Sequence, residues 1–504
     1  MSAALADWQQ LVHGPLAHWA QTTPQALALD DGTQRLSFAE LHAAVQARAA
    51  ALNASAAAHT CLLDAHLPPA TLVTEFLATN ASGRCAALGD AAWPDAQRQQ
   101  AQRWIDALCS SPAPKPAGDA SQSPFYIGFT SGSTGQPKGF RRHHHSWTES
   151  FRVCVDSFGA PAQACVMAPG NLSHSLFLFG ALMGIWTGGG TQMQARFSAP
   201  QCLATLRAQA APCLVAVPSQ LLVMLQLAER RHITPIHSVE LVLISGARWM
   251  RQHTPALQAL FPKARIVEFY GASEASFIAW MDANAATPPQ VVGRAFSNVQ
   301  LQIRNAAGQP LPAGEIGQIW LRSPMLFMDY VGGSADATAA LRAGEHGEWL
   351  SVRDMGSLDD NGMLSLVGRE KRMLVTQGKN LFPEEVEALL CEHPRVAAAS
   401  VHGVDDALRG KQVWAAVQLR DTGDAAAQTA AGLQPLADTA LAAELSAWCR
   451  SQLEAYKCPR RWFTAQPWPQ TSSAKTDHPQ LAAALQNWHA AHAPTAESAP
   501  AKQV

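Results

Sequence analysis

Residues 130–139 read Thr-Ser-Gly-Ser-Thr-Gly-Gln-Pro-Lys-Gly, three glycines and four hydroxyls in ten positions directly after the apolar run FYIGFT. A loop of that make-up offers many backbone N–H and hydroxyl donors. Lys138 adds a positive charge, so the segment has what is needed to wrap a polyphosphate. It is not a Walker A loop, because G-x-x-x-x-G-K-[ST] is not satisfied. On composition alone the same stretch also reads as a linker. Arg141, Arg142, His143, His144 and His145 follow at once. Three adjacent histidines seldom face one ion, so this run reads as a solvated loop or helix start, with the arginines free to meet phosphates. The ten cysteines are scattered, with no C-x-x-C pair and no Cys/His spacing suited to zinc.

The elements that must hold these residues are readable from periodicity. Ser37 and Glu40 have capping-box spacing ahead of a helix over about 37–52. Short apolar runs at 125–130, 213–219, 240–246 and 265–271 alternate with helical patterns such as 218–230. That alternation predicts a layered α/β fold with largely parallel pairing. From about 297 the pattern becomes that of half-buried antiparallel strands, in VQLQIRN, IGQIWLR and MLSLVG. Residues 372–404 then read strand, loop, helix, strand, with Pro383 in the first helical turn. Residues 421–440 read as a surface loop or insertion, and the tail after about 490 as frayed.

Composition excludes several classes. Hydrophobic residues make up 48% and charged residues 15% of the 504, which is too apolar for a disordered chain. A formal net charge of -2 lacks the basic excess of a nucleic-acid binder. The longest apolar stretch, 176–186, is too short to span a bilayer, and MSAALADWQQ is not a signal peptide. A soluble, cytoplasmic protein with reduced cysteines is the expectation.

The string TSGSTGQPKG is similar to the phosphate-loop signature of the adenylate-forming superfamily, which includes acyl-CoA synthetases, luciferases and peptide-synthetase adenylation domains. Further motifs follow in the family's order: Ser245-Gly246-Ala247, then EFYGASE at 268–274, WLSVRDMG at 349–356, GREKR at 368–372, QGKNLFPEEVE at 377–387, and TSSAKTD at 471–477. The resemblance covers about residues 20 to 485. It implies a large N-terminal domain (1–369) of layered α/β subdomains plus a β-barrel-like part, and a small mobile α+β C-terminal domain (370–504).

The resemblance also implies roles. Thr130, Ser131, Gly132, Ser133, Thr134 and Gly135 would surround the ATP phosphates with Lys138, and Glu274 with Thr134 would hold Mg²⁺. Gly246, Ala247, Tyr270, Gly271 and Ser273 would border the adenine, with Tyr270 packed on it. Asp354 would meet the ribose and Arg369 the nucleotide; Lys371 would be the hinge. Gly378 would lie in the loop beside the thiol channel, and Lys475 would be the catalytic lysine. Three positions depart from the pattern or stay open. Arg353 stands where a glycine is usual, and Ala474 precedes Lys475 where Gly-Lys is usual. His174 falls where acyl- and aryl-activating members place a histidine beside the acyl pocket; a buried, satisfied histidine is the other reading. The apolar run from Leu176 through Met183 to Trp186 suits pocket lining and core packing equally.

The implied reaction converts a carboxylic acid and ATP, with Mg²⁺, to acyl-AMP and passes the acyl group to CoA. The expected acid is fatty or otherwise apolar, because the region of His174 lacks the aspartate that amino-acid-activating members use. Loading of a separate acyl carrier protein is the alternative, and this chain shows no carrier motif of its own.

Overall fold

The computed structural model describes residues 6–55, 58–110, 119–131, 137–208, 211–332, 341–344, 347–406, 410–420, 432–471 and 475–492. The chain forms two compact units, Met1–Arg353 with Ser357–Ser365, and Asp354–Gly356 with Leu366–Val504.

The first unit is built on two sheets. In the larger one, Leu27–Asp30, Thr191–Met193, Val166–Ala168, Cys213–Ala216, Leu241–Ile244 and Arg265–Ala272 pair in parallel in that order. Cys213–Ala216 and Leu241–Ile244 are buried at every position, as expected of parallel strands covered on both faces. Ser276–Asp282 and Val291–Ala295 then continue the sheet antiparallel. Gln300–Arg304, Gly317–Arg322 and Trp349–Ser351 pair antiparallel where the sequence turns to an alternating pattern. The smaller sheet joins Thr60–Leu63, Cys85–Leu88 and Pro124–Ser131 in parallel, then Pro137–His143 and Asp329–Val331 antiparallel.

The local chemistry explains the helices. Ser37 Oγ accepts from the Glu40 N–H at 3.3 Å, and Glu40 Oε2 accepts from the Ser37 N–H at 2.8 Å, closing the capping box that starts Phe38–Ala54. Pro218–Arg230 starts on its proline, as read from the sequence. Ser175–Thr187 is buried from Phe177 to Trp186 on all sides, so it is a core helix. It ends on Gly188 at φ +84, where a side chain would also strike Trp19.

The 141–145 run is not solvated. Arg141, Arg142 and His143 end the Pro137–His143 strand, and His144 starts the His144–Phe158 helix. Arg142 is 1% exposed and His144 is also buried. A strand pointing alternate side chains inward explains why a charge run reads wrongly as a surface. His143 Nδ1 accepts from the Ser146 N–H and His144 Nδ1 accepts from the Val12 N–H, both at 3.2 Å, so both rings carry their proton on Nε2.

Burial holds His13 and His143 at about 4, and pushes His144 well below the ordinary histidine range. These rings are neutral when folded and protonate on unfolding, so the unfolded chain binds more protons below about pH 6.5. Their contribution is complete above that pH and is lost as pH falls towards 4. Denaturant titrations between about pH 6 and 4.5 are expected to show stability falling by up to about 1.4 kcal/mol per pH unit for each such histidine. A flat profile over that window would mean that the rings are hydrated.

In the second unit, Val396–Asp406 pairs antiparallel with Gly410–Leu419, which pairs in parallel with Arg461–Gln466. Gly432–Pro435 adds an antiparallel edge strand, and Asp438 caps the helix Thr439–Gln452 by accepting the Leu441 N–H at 2.9 Å. The 421–440 segment is therefore partly regular; residues 421–431 lie outside the described residues. A four-residue edge strand with one half-buried position carries too little alternation to be seen in sequence. Pro383–Glu392 starts on its proline as expected. The tail predicted to fray lies, from 493, outside the described residues. Among the described residues no helix is long and apolar enough to cross a membrane, and all ten cysteines are free.

Candidate active site

Parallel strands end with their carboxyl edges together, and ligands of α/β sheets bind outside that edge. Four adjacent strands of the large sheet end there on segments singled out in the sequence. Val166–Ala168 leads to the 169–174 segment and His174, Cys213–Ala216 to Val217, Leu241–Ile244 to Ser245-Gly246-Ala247, and Arg265–Ala272 through Tyr270 and Gly271 to Ser273 and Glu274. Cross-links tie the segments: Gln220 Nε2 donates to the Pro169 carbonyl at 2.7 Å, and Ser245 Oγ donates to the Phe269 carbonyl at 3.0 Å. Gly246 sits at φ +86, which suits glycine, and it and Ala247 are exposed. Tyr270, Gly271, Ser273 and Glu274 are half-buried.

Glu274 is held by neighbours that sequence reasoning missed. Tyr330 donates its hydroxyl to Glu274 Oε1 at 2.8 Å, and the Glu274 carbonyl accepts from the Phe327 N–H at 2.7 Å. Arg142 donates to the carbonyls of Ser273 (2.7 Å) and Met325 (2.8 Å) and to Ser276 Oγ (2.6 Å). Burial pushes this guanidinium down to about 9 against the pull of Glu274, so it stays charged at neutral pH. Arg141 forks onto Asp329 at 2.9 and 2.6 Å. Both arginines thus brace the turn and the strand beside it and are committed there rather than to phosphates. Strict in-out alternation through 137–143 is the one signal that could have placed Arg142 inside.

The same strand carries Lys138, half-buried and directly across from Thr130 in the register. Gly132, Ser133, Thr134 and Gly135 lie outside the described residues, as does the side chain of Ser131. His174 precedes the Ser175–Thr187 helix, half-buried, with its ring edge-on to Phe177 at 6.5 Å. Most of the apolar run behind it is core: Leu178, Met183 and Trp186 are buried, and Trp186 packs on Phe151.

Glu274 is the carboxylate of the 273–276 turn. Glu274 Oε2 has no hydrogen-bond partner among the described residues, where no group of three or more His, Cys, Asp or Glu side chains could cage a metal. A lone carboxylate fits Mg²⁺, which takes one or two carboxylates plus substrate phosphates and keeps its waters.

The second unit presents the other expected residues. Arg369, 73% exposed along its side chain, reaches the buried Asp354 with Nε 3.3 Å from Oδ1. Arg353, which belongs to the first unit, holds φ +64, so the left-handed backbone that glycine gives elsewhere is kept here with an arginine. Lys371 is exposed in the single turn Glu370–Arg372. Gln377 and Gly378 both have positive φ (53 and 74) and join Leu374–Thr376 to Lys379–Leu381, the signature of a two-residue type I′ hairpin turn. A Cβ at Gly378 would meet nothing within 4 Å, so this glycine serves the turn and not a close approach within the unit. Lys475 is exposed. Its carbonyl accepts from the Thr471 N–H at 2.8 Å and its own N–H donates to Thr471 Oγ1 at 3.3 Å; residues 472–474 lie outside the described residues.

Comparison with known proteins agrees with this layout. The chain is 37% identical over 355 residues to an uncharacterized acyl-CoA ligase, YhfT, of Bacillus subtilis, spanning 70% of this chain and 67% of that protein. It is 33% identical over 288 residues to a putative long chain fatty acid-CoA ligase, VraA, of Staphylococcus epidermidis, spanning 57% and 58%. The fold matches o-succinylbenzoate CoA synthetase of Bacillus subtilis, solved with its acyl-adenylate intermediate, at a TM-score of 0.75 and 23% identity over 92% of this chain and 97% of that one. The family model for AMP-binding enzymes matches residues 56–331, more than half of the chain, and that for the AMP-binding enzyme C-terminal domain matches 385–475. The chain therefore belongs to the AMP-binding enzyme family, within the adenylate-forming superfamily.

Proposed function

We propose that the protein is an AMP-forming acid–CoA ligase for a fatty or similarly apolar acid, working in the cytoplasm where ATP and CoA are supplied. The observation that carries this reading is the braced Glu274 turn at the carboxyl edge of the large sheet, beside a strand bearing Lys138 and next to Gly246 and Tyr270. The acid enters at the segment of His174, where residues 170–187 contain no carboxylate to pair an α-ammonium.

In the first step a carboxylate oxygen attacks the α-phosphorus of ATP, and the bond to the bridging oxygen of pyrophosphate breaks. Two anions must meet, so positive charge and donors aimed at the phosphates do most of the work. Thr130 and Lys138 face the phosphate chain, Tyr270 packs on the adenine, Asp354 takes the ribose hydroxyls, and Arg369 and Lys475 supply charge. Mg²⁺, when bound at Glu274, neutralises phosphate oxygens. In the second step the thiol sulfur attacks the acyl carbon, the bond to the AMP phosphate oxygen breaks and releases AMP, and the thiol proton passes to water. The turn at 370–372 and the hairpin at 377–378 change roles between the two steps.

Tyr330 fixes one oxygen of Glu274 and so presents the other. Tyr330→Phe is expected to raise the Mg²⁺ needed for half-maximal adenylation about tenfold or more. The same shift should appear in a Mn²⁺ binding titration with a non-hydrolysable ATP analogue. An unchanged metal requirement would show that Glu274 needs no such support. The reading as a whole is tested by pyrophosphate release across a panel of carboxylic acids, with and without CoA. Turnover only with CoA, led by one apolar acid class, supports it. Release that CoA leaves unchanged would replace CoA with a carrier protein, and a preference for aromatic or polar acids would replace the fatty substrate.

A further inference from the structure

Ser400 is fully buried on the Val396–Asp406 strand, and its hydroxyl lies 2.7 Å from His402 Nε2 and 2.7 Å from His478 Nδ1. Glu387, on the Pro383–Glu392 helix, places Oε1 3.5 Å from the same His478 Nδ1 and accepts the Val401 N–H at 2.7 Å. Arg372 forks onto the Glu387 carboxylate at 2.5 and 3.0 Å. No step described above uses this cluster. A hydroxyl has one proton to give, so it donates to one ring and accepts from the other. His478 Nδ1 faces a carboxylate and therefore carries its proton; Ser400 then donates to His402 Nε2. Burial first and the Arg372 charge second hold both rings at about 3, so both are neutral.

The cluster joins two distant segments. His478 opens the His478–His492 helix three positions after Lys475. Between them the chain is pinned: Gln470 bridges to Thr476, the Asp477 N–H donates to the Pro469 carbonyl at 2.9 Å, and Trp468 Nε1 donates to Thr476 Oγ1 at 3.1 Å. At the other end Arg372 is the neighbour of Lys371 in the Glu370–Arg372 turn. A path thus runs from the turn through Arg372, Glu387 and His478 by side-chain contacts, and from His478 to Lys475 along three residues of backbone.

We propose that Ser400, His478 and Glu387 are positioning residues for Lys475, and that with Arg372 they tie the start of the His478–His492 helix, and with it the segment that carries Lys475, to the 370–372 turn. The catalytic part of this rests on the acid–CoA ligase reading; the mechanical part does not. A lysine ends in a flexible four-carbon stem, so the hairpin that carries it must be rigid if the ammonium is to reach one place. A misplacement near 1 Å costs about a hundredfold in rate.

The test compares His478→Leu, which removes the contacts, with His478→Asn, whose amide nitrogen stands near the Nδ1 position and can donate to Ser400 and Glu387. His478→Leu is expected to slow adenylation by about ten- to a hundredfold while thioesterification of supplied acyl-AMP with CoA keeps its rate. His478→Asn should recover most of the loss. Glu387→Gln, similar in shape, should give the same split if His478→Leu folds poorly. Amide hydrogen exchange over 470–477, measured without substrate, should quicken in His478→Leu and return to normal in His478→Asn. Equal loss in both half-reactions, or unaltered adenylation, would overturn the positioning role. Unaltered exchange in the hairpin would overturn the tie. If the wild-type protein activates no acid at all, the ligase reading fails while the exchange result still decides the mechanical part.

Discussion

Lys475→Ala is expected to slow acyl-adenylate formation by about 10²–10³-fold while leaving thioesterification of supplied acyl-AMP near the wild-type rate. The first half-reaction brings a carboxylate to a triphosphate and needs an ammonium where negative charge builds; the second attacks a carbonyl that is already activated. The structure makes the substitution clean. Lys475 is exposed as a residue, although neighbours that desolvate its ammonium and the Arg369 charge lower its pKa, and its ties to the hairpin run through its backbone N–H and carbonyl to Thr471, which alanine retains. Thermal stability should therefore stay at the wild-type value. The measurement is pyrophosphate release for the first step and AMP release from synthetic acyl-AMP plus CoA for the second. Comparable losses in both would remove Lys475 from the adenylation step.

Arg142→Met carries the largest expected cost in stability, about 3–5 kcal/mol. The side chain is buried and donates to the carbonyls of Ser273, Met325 and Ser146 and to the hydroxyls of Ser146 and Ser276. Methionine fills much of the volume but leaves the Ser273 and Met325 carbonyls without this donor, while the Ser146 carbonyl keeps the Ser150 hydroxyl at 2.9 Å. Each buried acceptor left bare costs about 1–3 kcal/mol. That sum is a large part of the margin of a typical domain. Arg142→Lys keeps the charge and loses the fork, so it should fall between the two. Urea unfolding midpoints decide the matter. A midpoint for Arg142→Met equal to wild type would show that the 273–276 turn holds itself, and that the Glu274 position does not depend on the 137–143 strand.

The contrast between these two sites shows how much was legible in the residues. Lys138, Glu274, Asp354, Arg369 and Lys475 were legible as candidates because the motifs around them are local strings that resemble the family's in type and order. The parallel core was found for a similar reason: strands buried on both faces read as short apolar runs bounded by glycine and proline, and the capping box at Ser37 is complete within four residues. Arg142 was misread as solvated because charge in a sequence says nothing about which side of a strand faces inward. Tyr330 was not noticed because its partner is 56 positions away. Ser400, Glu387 and His478 have no motif at all, and only the pairing of a strand, a helix and a helix start gives them one another.

The sequence by itself determined the order of elements and which groups are candidates for the chemistry, since propensity, capping and motif spacing act over a few residues. Only the tertiary structure decided which of those groups are held, and by what. Parallel pairing aligns the carboxyl ends of four separated strands, and a buried guanidinium or hydroxyl must find its partners wherever the fold brings them, because leaving them unmet in the interior costs more than the fold can spare.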